Sequence, residues 1–278
     1  ASLTTAQIIA LTSTQFGALE VTDLAALTTS QFRVLTTTQI AGLTTTQVAV
    51  LTTTQVASMT TTQIRGIETT DLAVFSTTQI AALTSTQIVA LTTTQIQSIN
   101  VTDVAALTST QLNALTTAQV AALTTTQFAD VTSTQVALLS TTVIRAIETS
   151  DIATLSATQA SVLTSTQLSA LTTTQVTAFS TTAVAGLSSS QQFPWFTSTF
   201  VSALSTTQLG VLSATQIAAL TTTSVMGLNT TQIASMSTTQ VAGLETTDIA
   251  AMTDAQVNGF TSTQIGVMTT GQFNALFL

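Results

Sequence analysis

The sequence predicts an all-α fold: a solenoid, or superhelix, of very short helices, one for each eight-residue repeat. Three observations predict it. An octapeptide period fills the chain. A helix-start signature recurs in most periods. Residues that make tight β-turns are scarce, with 10 Gly and 1 Pro in 278 residues.

The period sets the frame. From Leu3 the chain reads LTTAQIIA, LTSTQFGA, LEVTDLAA, LTTSQFRV, LTTTQIAG. Twenty-four octads run from Leu3 to Pro194, Trp195 stands as one extra residue, and ten more octads run from Phe196 to Ala275. Residues 1–278 therefore read as a single continuous repeat, with an irregular aromatic and Pro-bearing defect at 187–203. The chain begins at Ala1 and stops inside a repeat, which reads as a processed product or a piece of a longer repetitive protein.

Within the octad, position 1 is Leu, Met, Ile, Phe or Val, and position 6 is nearly always Ile, Val, Leu or Phe. Both read as core. Positions 2 to 4 are Thr or Ser with few exceptions. Position 5 is Gln in 25 of 34 octads and Asp in five. Thr-x-x-Gln is a capping box, in which the Thr oxygen accepts from the position 5 amide and the Gln oxygen accepts from the position 2 amide. Leu35, Thr36, Gln39 and Ile40 show the whole signature, with Leu35 and Ile40 as the partners of a hydrophobic staple. Position 8 is mostly small, which reads as close backbone contact, and Gly there (Gly42, Gly66, Gly243) reads as a helix C-terminal stop. Position 7 is permissive and holds Arg33, Arg65 and Arg145, so it reads as surface.

A β-solenoid is the alternative, since Thr, Val and Ile favour strands. Positions 1 and 6 have opposite parity, so a turn would have to separate them in every octad. A helix so short cannot stand alone and must stack on its neighbours. The octads also alternate in class. The five Asp-bearing octads start at Leu19, Ile67, Ile99, Ile147 and Leu244 and are all even when counted from zero past Trp195. Phe at position 6, Met at position 1 and the three Arg all fall on odd octads. This alternation predicts an even number of octads per coil.

Composition then narrows function. The chain has no Lys, His, Cys or Tyr, so it lacks an imidazole base, a thiol, a Schiff-base amine and nitrogen or sulfur ligands for zinc. That excludes the common enzyme constellations and predicts a non-enzymatic protein without a cofactor. A net charge of −8 argues against nucleic acid, which needs basic residues on its phosphates. The longest apolar runs, such as Ile8 to Leu11, span four residues, whereas a membrane-spanning helix needs about 20.

Three features remain as candidate sites. The first is the acidic octads: Glu20/Asp23, Glu68/Asp71, Asn100/Asp103, Glu148/Asp151 and Glu245/Asp248. Their carboxylates suit Ca²⁺ in chemistry, without an EF-hand loop around them. The expectation is capping instead, with acids at the positive end of each helix dipole. The second is the defect, with Phe193, Pro194, Trp195, Phe196 and Phe200. It reads as aromatics filling the gap left by one inserted residue, or else as an exposed patch for a glycan, a surface or another chain. The third is the Thr/Ser array, which supplies caps and neutral hydrated surface, or else rows like those of ice-binding solenoids or sites for O-linked glycans.

The repeated string LTTTQ-[Ile/Val]-A-x resembles the octapeptide arrays of very large bacterial secreted or cell-surface proteins, many of them adhesin-like. The resemblance covers essentially the whole chain. It implies an extracellular structural or adhesive role, and the acidic, Cys-free composition suits export. The expected function is thus a rod, stalk or self-assembling filament on or outside a bacterial cell. Self is the expected partner, through apolar residues such as Phe277 and Leu278 near the chain end. The alternative is an adhesive or ice-binding module that uses the aromatic defect or the Thr rows.

Overall fold

The computed structural model describes residues 3–277. Among them the chain is all-helical, with 33 α-helices of four to six residues, one 3₁₀ helix at Phe193–Trp195 and no strand. Each α-helix falls in one octad, at positions 3 to 6 and up to two residues beyond. The array is a solenoid of short helices, as the capping signature predicts.

The local geometry follows from the octad chemistry. At the start of helix Thr37–Ala41, the Gln39 amide donates to Thr36 Oγ1 at 3.2 Å and the Thr36 amide donates to Gln39 Oε1 at 2.9 Å. The staple residues Leu35 and Ile40 are both buried. Corners are built from extended backbone: Met59 has φ −58° and ψ 140°, and Thr60 has φ −73° and ψ 158°. Two such residues redirect the chain without a left-handed residue, and no described residue has positive φ. Gly42, Gly66 and Gly243 therefore do not stop their helices by the left-handed route; all three have negative φ near −80° to −90°. Their role is close packing. A Cβ on Gly243 would sit 2.7 Å from the Ala214 carbonyl oxygen, three octads back.

The chain divides into two compact units, residues 1–135 and 136–278. In the first, each helix packs on the third helix along: Ser13–Gly17 on Thr37–Ala41, and Thr61–Arg65 on Ser85–Ala90. In the second, Ala157–Ser161 packs on Thr181–Ala185 and Thr246–Ala250 on Thr270–Ala275 in the same way. Position 1 and position 6 side chains form a thin continuous core in each unit, for example Ile64, Ile67 and Leu72 in the first and Leu209, Leu212 and Ile217 in the second.

The position 5 Gln joins successive coils. In the first unit, Gln95 Nε2 donates to the carbonyls of Ile64 and Ile67, both at 2.8 Å, 31 and 28 residues back. In the second, Gln240 Nε2 donates to Leu209 at 2.7 Å and Leu212 at 2.8 Å with the same separations. Helices stack three octads apart while the Gln rungs reach 28 and 31 residues, so the coil closes between three and four octads. That differs from the even number suggested by the alternation of acidic, Phe and Met octads. The coil is set by helix stacking and rung reach, which every octad shares. Position 6 is accordingly as deeply buried in odd octads (Phe32, Ile64) as in even ones (Leu72, Ile88).

Candidate functional site

The Gln rung is the reference against which each unusual octad stands out. Its Oε1 accepts from the N-cap amide of its own helix, and its Nε2 carries two hydrogens to two carbonyls of the preceding coil. The side chain is almost fully buried, as at Gln95 and Gln240. A capping box works with Glu as well as Gln, yet no octad has Glu at position 5. Only the amide can both accept from its cap and donate across the seam. Capping logic alone missed this bridging role; the absence of Glu was the signal for it. Ser224 keeps part of the role, donating its hydroxyl to the Phe196 carbonyl at 2.5 Å, 28 residues back.

The acidic octads replace this donor with an acceptor. Asp71, Asp103, Asp151 and Asp248 are each at least 96% buried, whereas Asp23, Glu20, Glu68, Glu148 and Glu245 are exposed. Capping differs from expectation, because none of the N-cap Glu residues makes a side-chain cap hydrogen bond. The Asp amide instead donates to the N-cap carbonyl, as Asp248 does to Glu245 at 3.1 Å. Asp248 Oδ1 accepts from Thr222 Oγ1 at 2.9 Å, so the carboxylate points across the seam to the coil before it. Asp248 Oδ2 and Asp151 Oδ2 are buried without a hydrogen-bond partner.

Burial raises all four of these carboxyls above the usual range. Asp151 is pushed up to about 6 by burial first and then by the nearby Glu148 charge, against a lowering hydrogen bond from Ser150. Asp71 rises through burial and then Glu68. Asp248 rises through burial, with the Thr222 bond opposing, the Glu245 charge adding to the rise and a hydrogen bond from the Glu245 backbone opposing it. Asp103 rises through burial, with Asn100 opposing. Asn100 also donates Nδ2 to the Ala73 carbonyl at 2.6 Å, so this octad restores a donor from its N-cap position. As calcium ligands, each octad offers at most two acidic residues. Among the described residues no three acidic, His or Cys side chains converge. Arg65 donates Nε to the Ala90 carbonyl at 3.0 Å, a contact that its neighbour Glu68 does not share.

At the aromatic defect the structure moves the inserted residue. The sequence register places the extra residue at Trp195. In the structure Gln192 takes the rung, donating to Ala160 at 2.9 Å and Leu163 at 2.7 Å and accepting from the Ser188 amide at 2.6 Å. The insertion is therefore absorbed between Ser188 and Gln192, in the turn before the rung. Phe193 then takes position 6 and is fully buried, and Phe196 takes position 1. Phe193, Phe196 and Phe200 stack with ring centroids 4.5 and 4.2 Å apart, and all three are buried. Trp195 separates from them and is 62% exposed. Phe200 stands in the rung position beside a cleft of about 240 Å³ that Leu168, Leu171, Thr173 and Thr197 also line.

Near the chain end, Phe277 is 74% exposed and meets the half-exposed Phe273 edge-on, with centroids 5.3 Å apart. Leu278 lies outside the described residues. The hydroxyls divide by position. Those at position 2 are engaged in caps, as at Thr36 and Thr164, whereas positions 3 and 4 face solvent along most of the array. No described helix is long and apolar enough to cross a membrane.

The sequence profile of the ALTTAQ repeat matches residues 16–53, 24–61, 64–101, 96–133, 104–141, 144–181 and 241–277. No curated protein and no solved structure matches the chain.

Proposed function

The chain belongs to the ALTTAQ repeat family, and on that premise we propose that it is a non-enzymatic structural array, working as an extracellular rod, stalk or filament segment of a bacterial surface. The observation that carries this reading is the use of the recurring polar groups. Position 2 hydroxyls cap their own helices, and position 5 amides bind the coil before, so the repeat's chemistry is directed at itself. The face that presents Gln amides fits the face that presents carbonyls. Such a head-to-tail fit propagates without closing, which supports self-association as well as internal stacking. The lack of His, Lys, Cys and Tyr in the sequence leaves the many hydroxyls without an activating base. The resemblance to large secreted arrays supports the extracellular setting.

A second reading, an adhesive module, is favoured by one observation: Trp195 is exposed beside a buried Phe stack. The ice-binding variant has less support. Packed helices lie about 8–10 Å apart, roughly twice the spacing of strands in a sheet, so Thr rows here are widely spaced. Electron microscopy of the purified chain and of Trp195→Ala separates the readings. Fibres formed equally by both proteins support the structural array. Single chains that stay monodisperse at high concentration in light scattering count against self-assembly. Loss of surface or glycan attachment in Trp195→Ala alone favours the adhesive module.

A further inference from the structure

In most octads the position 5 residue is a Gln, whose side chain brings hydrogens into the seam between coils. At Asp71 and Asp248 it brings oxygen. By register, the carbonyls that a Gln at Asp248 would bridge are those of Leu220 and Ile217, 28 and 31 residues back, and at Asp71 those of Leu43 and Ile40. The Asp248 carboxylate does reach this seam, because it accepts from Thr222, two residues beyond Leu220. Its second oxygen is buried without a partner. The Thr222 hydroxyl and the Glu245 backbone offset only part of the charge of an ionised Asp248, and a buried charge without full compensation is costly. One proton turns the acceptor into an O–H donor and removes the charge at once.

We propose that Asp71 and Asp248 are acid-closed rungs: ionised, they leave the seam between coils without its donor, and protonated, they supply an O–H where Gln supplies its amide. The proton comes from solvent, and no other bond changes. The charged surroundings are sparse. Asp248 has Glu245 on its own helix, while helices Thr222–Val225 and Thr270–Ala275, packed on either side, carry no titratable residue. Asp71 has Glu68 at its own N-cap, with Arg65 lining the same surface cleft as Glu68. Helices Thr45–Ala49 and Thr93–Ser98, packed against it, carry no titratable residue. The raised carboxyls agree with this geometry. A group protonated more readily in the folded chain gives stability that is complete below its unfolded value, near pH 3.9, and is lost as pH rises through its folded value. The array thus tightens as its surroundings acidify.

The test uses the full chain and follows thermal unfolding by circular dichroism from pH 7 to pH 4. Wild type is expected to melt higher as pH falls. Asn has the size of Asp and a permanent donor, so Asp71→Asn with Asp248→Asn is expected to melt about 2–4 °C higher than wild type at pH 7 and to show a smaller acid rise. Glu68→Gln with Glu245→Gln is expected to keep the rise. A wild-type melting temperature that is flat or falls with acid overturns the proposal, as does an Asn variant that keeps the full rise. Two further results would also overturn it: loss of the rise in the Gln variant, which would assign it to surface repulsion, or stabilisation by Ca²⁺ at pH 7 that matches the acid effect. Should the Asn variant fail to fold, carboxyl ¹³C titration of wild type decides: midpoints above the ordinary Asp value support the proposal, and ordinary midpoints refute it.

Discussion

Gln240 shows how much one side chain does in this fold. It caps its own helix through Oε1, accepting from the Ser237 amide at 2.9 Å, and bridges to Leu209 and Leu212 through Nε2. Gln240→Ala removes all three bonds and strands buried carbonyls, which is expected to cost about 1–3 kcal/mol in urea unfolding. Gln240→Glu keeps the cap but turns a carboxylate toward the same carbonyls. It is expected to be at least as destabilised at pH 7 and to recover on acidification, where Gln240→Ala does not. The capping half of this role was legible in Thr-x-x-Gln. The bridging half was not, because a capping box is satisfied within four residues and says nothing about a partner 31 residues away.

A helix of five residues holds few internal hydrogen bonds and is unstable in isolation. Each helix here persists through its cap, its staple and its contact with the third helix along. That contact is tight at position 8. A Cβ on Gly227 would overlap the carbonyl oxygen of Ser198, three octads back, whereas one on Gly210 would meet nothing. Gly227→Ala is therefore expected to destabilise by about 1–3 kcal/mol through overpacking. Gly210→Ala lies within helix Thr206–Gly210 and is expected to be neutral or stabilising by up to about 1 kcal/mol. Equilibrium denaturation of the two variants checks the pair. Close contact at position 8 was readable from its small residues. The conformation was not, since glycine serves left-handed stops and close packing alike, and here every described glycine keeps negative φ.

For the whole molecule, stability is a sum over neighbouring contacts, because each octad touches only those about a coil away. Losing one rung should then weaken the structure locally. Gln95→Ala is expected to speed amide hydrogen exchange in helices Thr61–Arg65 and Thr93–Ser98, which its rung connects, and to leave helices Thr238–Ala242 and Thr246–Ala250 unchanged. A uniform increase along the chain would show global cooperativity instead. The same locality explains the aromatic defect. One inserted residue perturbs the turn from Ser188 to Gln192, and the rung register resumes at Gln208, which bridges to Val176 and Phe179, 32 and 29 residues back. Each separation is one longer than the usual value, the length of the insertion.

The sequence by itself determined what eight residues settle among themselves: the helix starts, the corners, and the buried positions 1 and 6. Cap and staple act within a single octad, so their spacing can be read directly. Only the tertiary structure decided which octads meet, where the insertion is absorbed, and what a buried Asp faces. The reason is the repeat itself. When every octad resembles every other, the sequence favours no particular separation along the chain, and the alternation of octad classes is no guide to the coil. Helix stacking and the reach of a Gln side chain select 28 and 31 residues. That selection turns the position 5 residue from a local cap into a rung between coils, and its replacement by Asp into a candidate proton-sensitive site.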